Sequence, residues 1–458
     1  MTSPSQSRPY QSDRPRIDWE EVIYLFLVVT FILFAIRDGL TGSIRYLFQL
    51  LHVSFLWFVP DLMSFVAMGL FFYQQFFVKK NAIGMYLCYI FIISTITSIF
   101  FMNSSAFSLF SSIKMFIPMF VGFCFYGRSV TERRWVRAVL ILICGASVLG
   151  LLANPYVEYP WVGQTISSFG MEREATKLWW QEGGIRYGGL AGDSTMAAYM
   201  VIFIFILLSP HYSFLTNIIA FPIILWAIQV STSKTALGVY FLYVAIYFTV
   251  WFVRDRAINI ALLRLVAKWS FVCLLVPPLL MVMFYGADLG KVSSTLFSLQ
   301  DRIDNTWPGP FRTVADIFPA GVVFGCGLGC FSYPMDYTAL ADYNLPLDNF
   351  YMSTLIMMGM PFILFVAMQF LMVRHARDPV KLSLMTMFNF YSVTIQCYGP
   401  SYATLMFGYI FSEMFGYHVR NKARAPRQPK LKPRNTGPIS TQPGLANAQT
   451  DMVPRPQG

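Results

Sequence analysis

The chain has 458 residues, of which 56% are hydrophobic and 12% charged, with a net charge of +11 and a mean hydropathy of +0.54. Soluble globular domains carry roughly 25% charged residues. The composition therefore excludes a soluble enzyme with an anchor and predicts an all-α, polytopic transmembrane helical bundle.

Residues 1–20 are polar and form a short leading segment, predicted to be cytoplasmic. No small-residue cleavage site closes the first apolar run, so no cleavable signal is expected. From there the apolar runs number about twelve, each long enough to cross a bilayer. The first five lie at 22–36, 61–78, 81–102, 106–126 and 135–153, with an aromatic, interfacial stretch at 43–59 between the first two. A loop over 154–193 follows. Spans resume at 194–209, 213–231, 234–253 and 269–285, and a second long loop covers 286–347. The last spans are 349–372, 382–398 and 401–417. The bundle thus occupies 21–418. From residue 419 onward there are eight basic residues and one acid in a stretch rich in Pro, Gln, Asn and Gly. Such a stretch cannot bury a core. It is read as a disordered basic cytoplasmic tail, 419–458, held near anionic lipid rather than nucleic acid.

Numbering the gaps alternately in and out sorts the cations. Of the 34 Lys and Arg residues, 24 fall in gaps of one set, which includes both termini. Positive residues resist translocation, so that set is assigned to the cytoplasm. Nine lie on the other side: Arg37, Arg45, Arg173, Lys177, Arg186, Lys234, Lys291, Arg302 and Arg312. Lys114 falls inside a span and needs a counter-ion, with Asp61 and Glu413 the candidates. The two long outer loops, 154–193 and 286–347, are rich in Trp, Tyr, Gly, Pro and charge. Loops of that length in a compact protein are usually functional.

The cations on the disfavoured side are the first place to look for chemistry. Arg186 closes the first loop within a glycine-rich run ending at Asp193. Its guanidinium is a fixed fork suited to phosphate, or else the partner of Asp193. Lys234 opens a span after Ser231-Thr232-Ser233, a turn with little room for a solvated decoration. Arg302 and Arg312 either bind an anion or pair with Asp301, Asp304 and Asp316. Asp348 precedes a span, as a helix cap or as a base facing those arginines. The run Phe324-Gly325-Cys326-Gly327-Leu328-Gly329-Cys330 lacks the strand and helix context of a dinucleotide fingerprint. Its glycines are expected to let the chain approach other backbone, and Cys326 and Cys330 are available to pair. The histidines are scattered and no metal-ligand spacing occurs, so no metal or cofactor is expected.

These stretches resemble the O-antigen ligase/polymerase superfamily, the integral-membrane glycosyltransferases of bacterial surface polysaccharide assembly. Arg186 to Asp193 is similar to the family's Arg–Gly-Leu segment, and Ser231 to Leu237 to its Ser-x-Ser-Arg segment with Lys234 in place of Arg. Arg302 with Trp307 resembles its loop Arg–Trp pair, and Phe324 to Phe331 its Phe-Gly-x-Gly-x-Gly run. Asp348-Asn349-Phe350-Tyr351 up to Gly359 resembles its His-Asn-x-x-Leu…Glu-x-Gly stretch. Asp348 stands where ligases have His, and Met357 where they have Glu. That departure favours a polymerase, and within it an exopolysaccharide polymerase, over a ligase.

The resemblance implies an enzyme of the inner membrane that works at the periplasmic face without a metal. It would join undecaprenyl-pyrophosphate-linked oligosaccharide repeats into a polysaccharide. Arg186, Lys234, Arg302 and Arg312 would hold the pyrophosphate, and Arg186 and Asp348 would be catalytic. Trp179, Trp180, Trp307 and Tyr351 would stack on sugars. The implied partners are the lipid-linked substrate, membrane lipid, a chain-length co-polymerase and export machinery. The alternatives are a ligase-type transferase, a secondary transporter or flippase of the same pathway, or a scaffold subunit.

Overall fold

The computed structural model describes residues 18–416, apart from 102–103, 169–170, 175, 177–178, 182–183, 254, 294–295, 331, 339, 346, 396–397 and 399–400. The basic tail and nearly all of the leading segment lie outside the described residues.

The chain runs through α1 (Trp19–Gly39), α2 (Thr41–Leu50), α3 (Val59–Tyr73), α4 (Ala82–Phe101), α5 (Ala106–Phe116), α6 (Pro118–Phe123) and α7 (Arg134–Ala153). Four short strands follow: β1 (Thr165–Ser168), β2 (Met171–Glu174), β3 (Trp179–Gln181) and β4 (Gly184–Arg186). Then come α8 (Ser194–Leu208), α9 (Phe214–Ser231), α10 (Lys234–Phe252), α11 (Arg256–Trp269) and α12 (Val276–Phe284). The second loop holds the short helices α13 (Leu289–Val292), α14 (Phe297–Asp301), α15 (Gly309–Ile317) and α16 (Gly321–Phe324). The last helices are α17 (Phe350–Met358), α18 (Met360–Met372), α19 (Pro379–Tyr391) and α20 (Ser401–Phe411).

Among the described residues, nine helices are long and apolar enough to cross a membrane. They match the first nine predicted spans. The last three are shorter. The run expected at 349–372 is broken at Gly359, whose φ of +67° no helix residue adopts. Helices α19 and α20 are short and almost wholly buried. The first outer loop carries two antiparallel hairpins, β1 with β2 and β3 with β4, in an otherwise helical chain. Residues 256–268, expected as a connector, continue helically into the ninth run, Arg256–Phe284.

Side-chain caps start many of these helices. Asp18, Ser105, Asp193, Ser213, Ser233, Asp255, Asn349 and Asp378 each accept a backbone N–H from the first turn. Such caps satisfy donors that a helix leaves orphaned. Helix α8 is apolar all round and buried along its length, as a central bundle helix must be. Outer helices instead carry exposed Leu25, Ile96, Leu142, Leu149, Ile219 and Trp226, an apolar surface suited to lipid. Helices α6 and α20 cross at Gly122 and Gly408. A Cβ on Gly408 would meet the Met119 carbonyl oxygen at 1.9 Å, so the two backbones touch.

The gaps sort to two ends, as the alternation predicts. At one end Arg128 pairs with Glu21 at 3.0 Å, Arg137 meets His211 at 3.1 Å, and Asn81 donates to the Phe415 carbonyl at 3.1 Å. There Lys381 donates to the Phe125 carbonyl at 2.9 Å and pairs with Glu413 at 3.1 Å. At the other end Gly42 N–H donates to the Leu190 carbonyl at 3.0 Å, and Ser105 to that of Tyr337 at 2.9 Å.

Candidate functional site

The glycine run of the second loop is inserted into the bundle. Cys326 and Gly327 N–H groups donate to the carbonyls of Ile356 and Met357 in α17, and Leu328 N–H to that of Ser94 in α4. Gly325, Gly327 and Gly329 all have φ near +90°. A Cβ on Gly327 would lie 2.3 Å from Ser98 N, and one on Gly325 would lie 2.5 Å from the Met357 carbonyl oxygen. The close backbone approach expected of these glycines is therefore present. Cys326 and Cys330 are joined by a disulfide that closes the inserted turn. The inserted turn thus pins the C-terminal end of α17, the helix that Asp348 precedes.

Asp348 is not the cap of α17. Asn349 is: its side-chain oxygen accepts Met352 N–H at 2.8 Å, and its amide donates to the Val393 carbonyl at 2.8 Å. Asp348 is left for other contacts. Arg302, at the turn between α14 and α15, donates Nε–H to Asp348 Oδ2 at 2.6 Å. Asp348 Oδ1 is buried and has no hydrogen-bond partner. Burial pushes the Asp348 carboxyl above the ordinary carboxylate range, and the Arg302 charge opposes that shift without cancelling it. Trp307 packs close enough to act on the same carboxyl, yet its buried indole N–H lacks hydrogen-bond geometry to any acceptor.

Arg186 ends β4 and is half-buried, with Nε enclosed and unpartnered. Burial pulls its guanidinium below its ordinary value, with the nearby Asp193 charge opposing and that of Arg302 reinforcing. An arginine so placed stays charged. Asp193 also caps α8, accepting Met196 N–H at 2.8 Å. Lys234 is exposed at the first turn of α10, after Ser233 as cap and Thr232 in the left-handed region.

One turn gathers these groups, and the sequence reading missed it. Residues 391–394 end α19, inside what looked like a plain span at 382–398. Tyr391 lies within electrostatic reach of Arg186, and its hydroxyl donates to the Thr195 carbonyl at 2.9 Å. The Ser392 carbonyl accepts Phe350 N–H, the Val393 carbonyl accepts Asn349, and Thr394 meets Thr235 at 2.5 Å. Arg186, Asp348 and Lys234 thus flank a single turn, with Arg302 bonded to Asp348. Polar residues interrupting an apolar run (Ser392, Thr394) were the available signal.

The other expected site residues fall elsewhere. Arg312 is exposed, with its guanidinium 5.1 Å from the centre of the Tyr285 ring. Trp307 is fully buried. Tyr351 is buried, with its hydroxyl donating to Asn389 at 2.5 Å. Both rings, expected to stack on sugars, are enclosed by neighbouring side chains. The Trp179 and Trp180 side chains lie outside the described residues. Lys114 pairs with Asp61 at 3.5 Å and not with Glu413, which is taken by Lys381. Among the described residues no three His, Cys, Asp or Glu side chains lie together as a metal would require.

No family model, no curated protein and no solved structure matches this chain.

Proposed function

We propose that this chain is a membrane glycosyltransferase of the polymerase type, joining undecaprenyl-pyrophosphate-linked oligosaccharide repeats at the periplasmic face of a bacterial inner membrane. The observation that carries this reading is the group around the 391–394 turn: the cations Arg186, Lys234 and Arg302 with the carboxylates Asp348 and Asp193, at the bundle end that the basic gaps avoid.

The chemistry follows from that set. The acceptor hydroxyl oxygen attacks the anomeric carbon of the donor chain, and the bond from that carbon to the pyrophosphate oxygen breaks. The leaving pyrophosphate carries away the bonding electrons. Arg186 and Lys234 neutralise its charge, and Arg302 does so while steering Asp348. The acceptor proton passes to the Asp348 carboxylate, whose side chain is partly exposed beside Arg302. A raised carboxyl pKa brings this base closer to the working pH, where proton transfer is most effective. The positive-inside count supports the orientation. The lipid-linked donor, a chain-length co-polymerase and export machinery are the partners this reading implies.

The test is complementation of a strain that lacks the chain. Arg186→Ala and Lys234→Ala are expected to reach the membrane at parental abundance and to make no polymer on a polysaccharide gel. Parental polymer from both variants would refute the assignment.

A further inference from the structure

The opposite, basic end of the bundle holds a group of cations that the transferase chemistry does not use. It lies where α11 meets the turn between α18 and α19. Arg264 in α11 donates Nε–H to the Ala376 carbonyl of that turn at 2.7 Å. The charged neighbour that acts on Arg264 is a second cation, Arg377. Arg374 and Arg377 are both exposed on the turn, and Arg374 donates Nε–H to His375 at 2.9 Å. Lys268, one helical turn along α11 from Arg264, places its ammonium 6.0 Å from the centre of the Phe370 ring in α18. The nearest acid in sequence, Asp378, is engaged as the cap of α19, where it accepts Val380 and Lys381 N–H at 2.9 and 3.4 Å. Among the described residues, no carboxylate pairs with Arg264, Lys268, Arg374 or Arg377.

The apolar neighbours show at what depth these cations sit. Leu265 and Trp269 are exposed on α11, and Phe370 on α18. Leu265 and Trp269 are four residues apart and share a face, as do Arg264 and Lys268 beside them. A tryptophan at the end of a span marks the level of the lipid headgroups. Lys268 lies about 6 Å deeper along the helix than Arg264, at a rise of about 1.5 Å per residue. The seam between α11 and α18 thus runs from two arginines at the surface, past a lysine, to side chains in contact with hydrocarbon. Cations gathered beside a bilayer repel one another, and an anion between them reverses the sign of that interaction. Basic pockets between helices on the cytoplasmic side suit anionic headgroups for this reason.

We propose that Arg264, Lys268 and Arg377 form a headgroup site for an anionic phospholipid of the cytoplasmic leaflet. The phosphate lies between Arg264 and Arg377 with Lys268 below it, and the acyl chains run over Leu265, Trp269 and Phe370. The exposed apolar row is what a phospholipid covers and a free anion would leave bare. The inference rests on the membrane reading of the nine long helices. None of its residues belongs to the group around the 391–394 turn.

The test is lipid retention by the purified full chain, measured by native mass spectrometry. Phosphatidylglycerol is the anionic probe and phosphatidylcholine the neutral reference. Lys268→Gln with Arg377→Gln removes two charges and keeps the Arg264 bond to Ala376. It is expected to weaken phosphatidylglycerol retention about tenfold and to leave phosphatidylcholine retention unchanged. Lys80→Gln with Arg134→Gln removes two exposed cations elsewhere at the same end of the bundle and is expected to retain the probe as the parent does. Equal loss in the two double variants would make retention a matter of diffuse charge and overturn the site. Parental retention by the first variant, or equal loss of both lipids from it, overturns the site as well. If that variant does not fold, the exposed Arg377→Gln alone carries the test, with a loss of about threefold expected. Polymer is not part of the readout, so the transferase reading can fail without moving this result.

Discussion

At the residue scale, Asp348 and its neighbour Asn349 divide two jobs that the sequence offered to one of them. Asn349 caps α17, so Asn349→Ala is expected to cost about 1 kcal/mol in a detergent melt. Asp348→Asn takes no cap away. Burial raises the Asp348 carboxyl above its unfolded value of about 3.9. A group shifted that way stabilises the fold below its unfolded pKa and loses that contribution as pH rises through its folded one. The Asp348→Asn chain is therefore expected to melt no lower than the parent at neutral pH while making no polymer. Loss of both fold and polymer would make Asp348 structural. The rate carries the opposite sign, because a base must be ionised, so activity rises as pH passes the folded pKa. Arg302 holds that pKa down by its charge and its hydrogen bond. Arg302→Gln is expected to move the acid limb of the pH–rate profile to higher pH, with residual activity greatest in alkali. An unmoved limb would mean that Asp348 is not the titrating base.

At the element scale, the inserted glycine turn and the break at Gly359 depend on one another. A Cβ on Gly359 would lie 2.3 Å from the Phe324 carbonyl carbon, and one on Gly325 at 2.5 Å from the Met357 carbonyl oxygen. The two segments cross where neither has a side chain. Gly327→Ala combines a positive φ with a 2.3 Å approach to Ser98 N, so both strain and overlap oppose it. A cost of about 1–3 kcal/mol follows, seen as a lower melting temperature. Gly238→Ala is the control: it sits inside α10 with nothing within 4 Å of the added methyl. There helix propensity predicts a gain of up to about 1 kcal/mol. Equal effects would show that the insertion does not bear on stability.

At the scale of the whole molecule, legibility follows from what each segment faces. The first nine spans were readable because each presents a long apolar run, and lipid imposes that length on any helix exposed to it. Helices α19 and α20 are enclosed by other helices, and α17 is pinned by the inserted turn, so their lengths answer to packing instead. The site was readable in part. Arg186, Lys234 and Arg302 stood out as cations outside the basic gaps, and Asp348 as an acid that precedes a span. Arg312 carried the same charge signal but lies against Tyr285, while Trp307 and Tyr351 are buried, Trp307 beside the Asp348 carboxyl. The 391–394 turn is marked in the sequence only by Ser392 and Thr394 interrupting an apolar run, and which groups it gathers shows only in three dimensions. The two-ended sorting of the gaps gives the last prediction. Arg133 pairs with Glu21 at one end, and Asp301 lies exposed in the loop that carries Arg302 at the other. Arg133→Cys and Asp301→Cys therefore report opposite sides. If positive residues are retained in the cytoplasm, an impermeant maleimide applied to intact spheroplasts labels position 301 and leaves position 133 unlabelled until the membrane is opened. The native cysteines outside the disulfide that are described are buried or half-buried, so their background is low. Labelling of position 133 alone in intact cells would invert the molecule and place the cation–carboxylate group in the cytoplasm. There no periplasmic polymerase could use it.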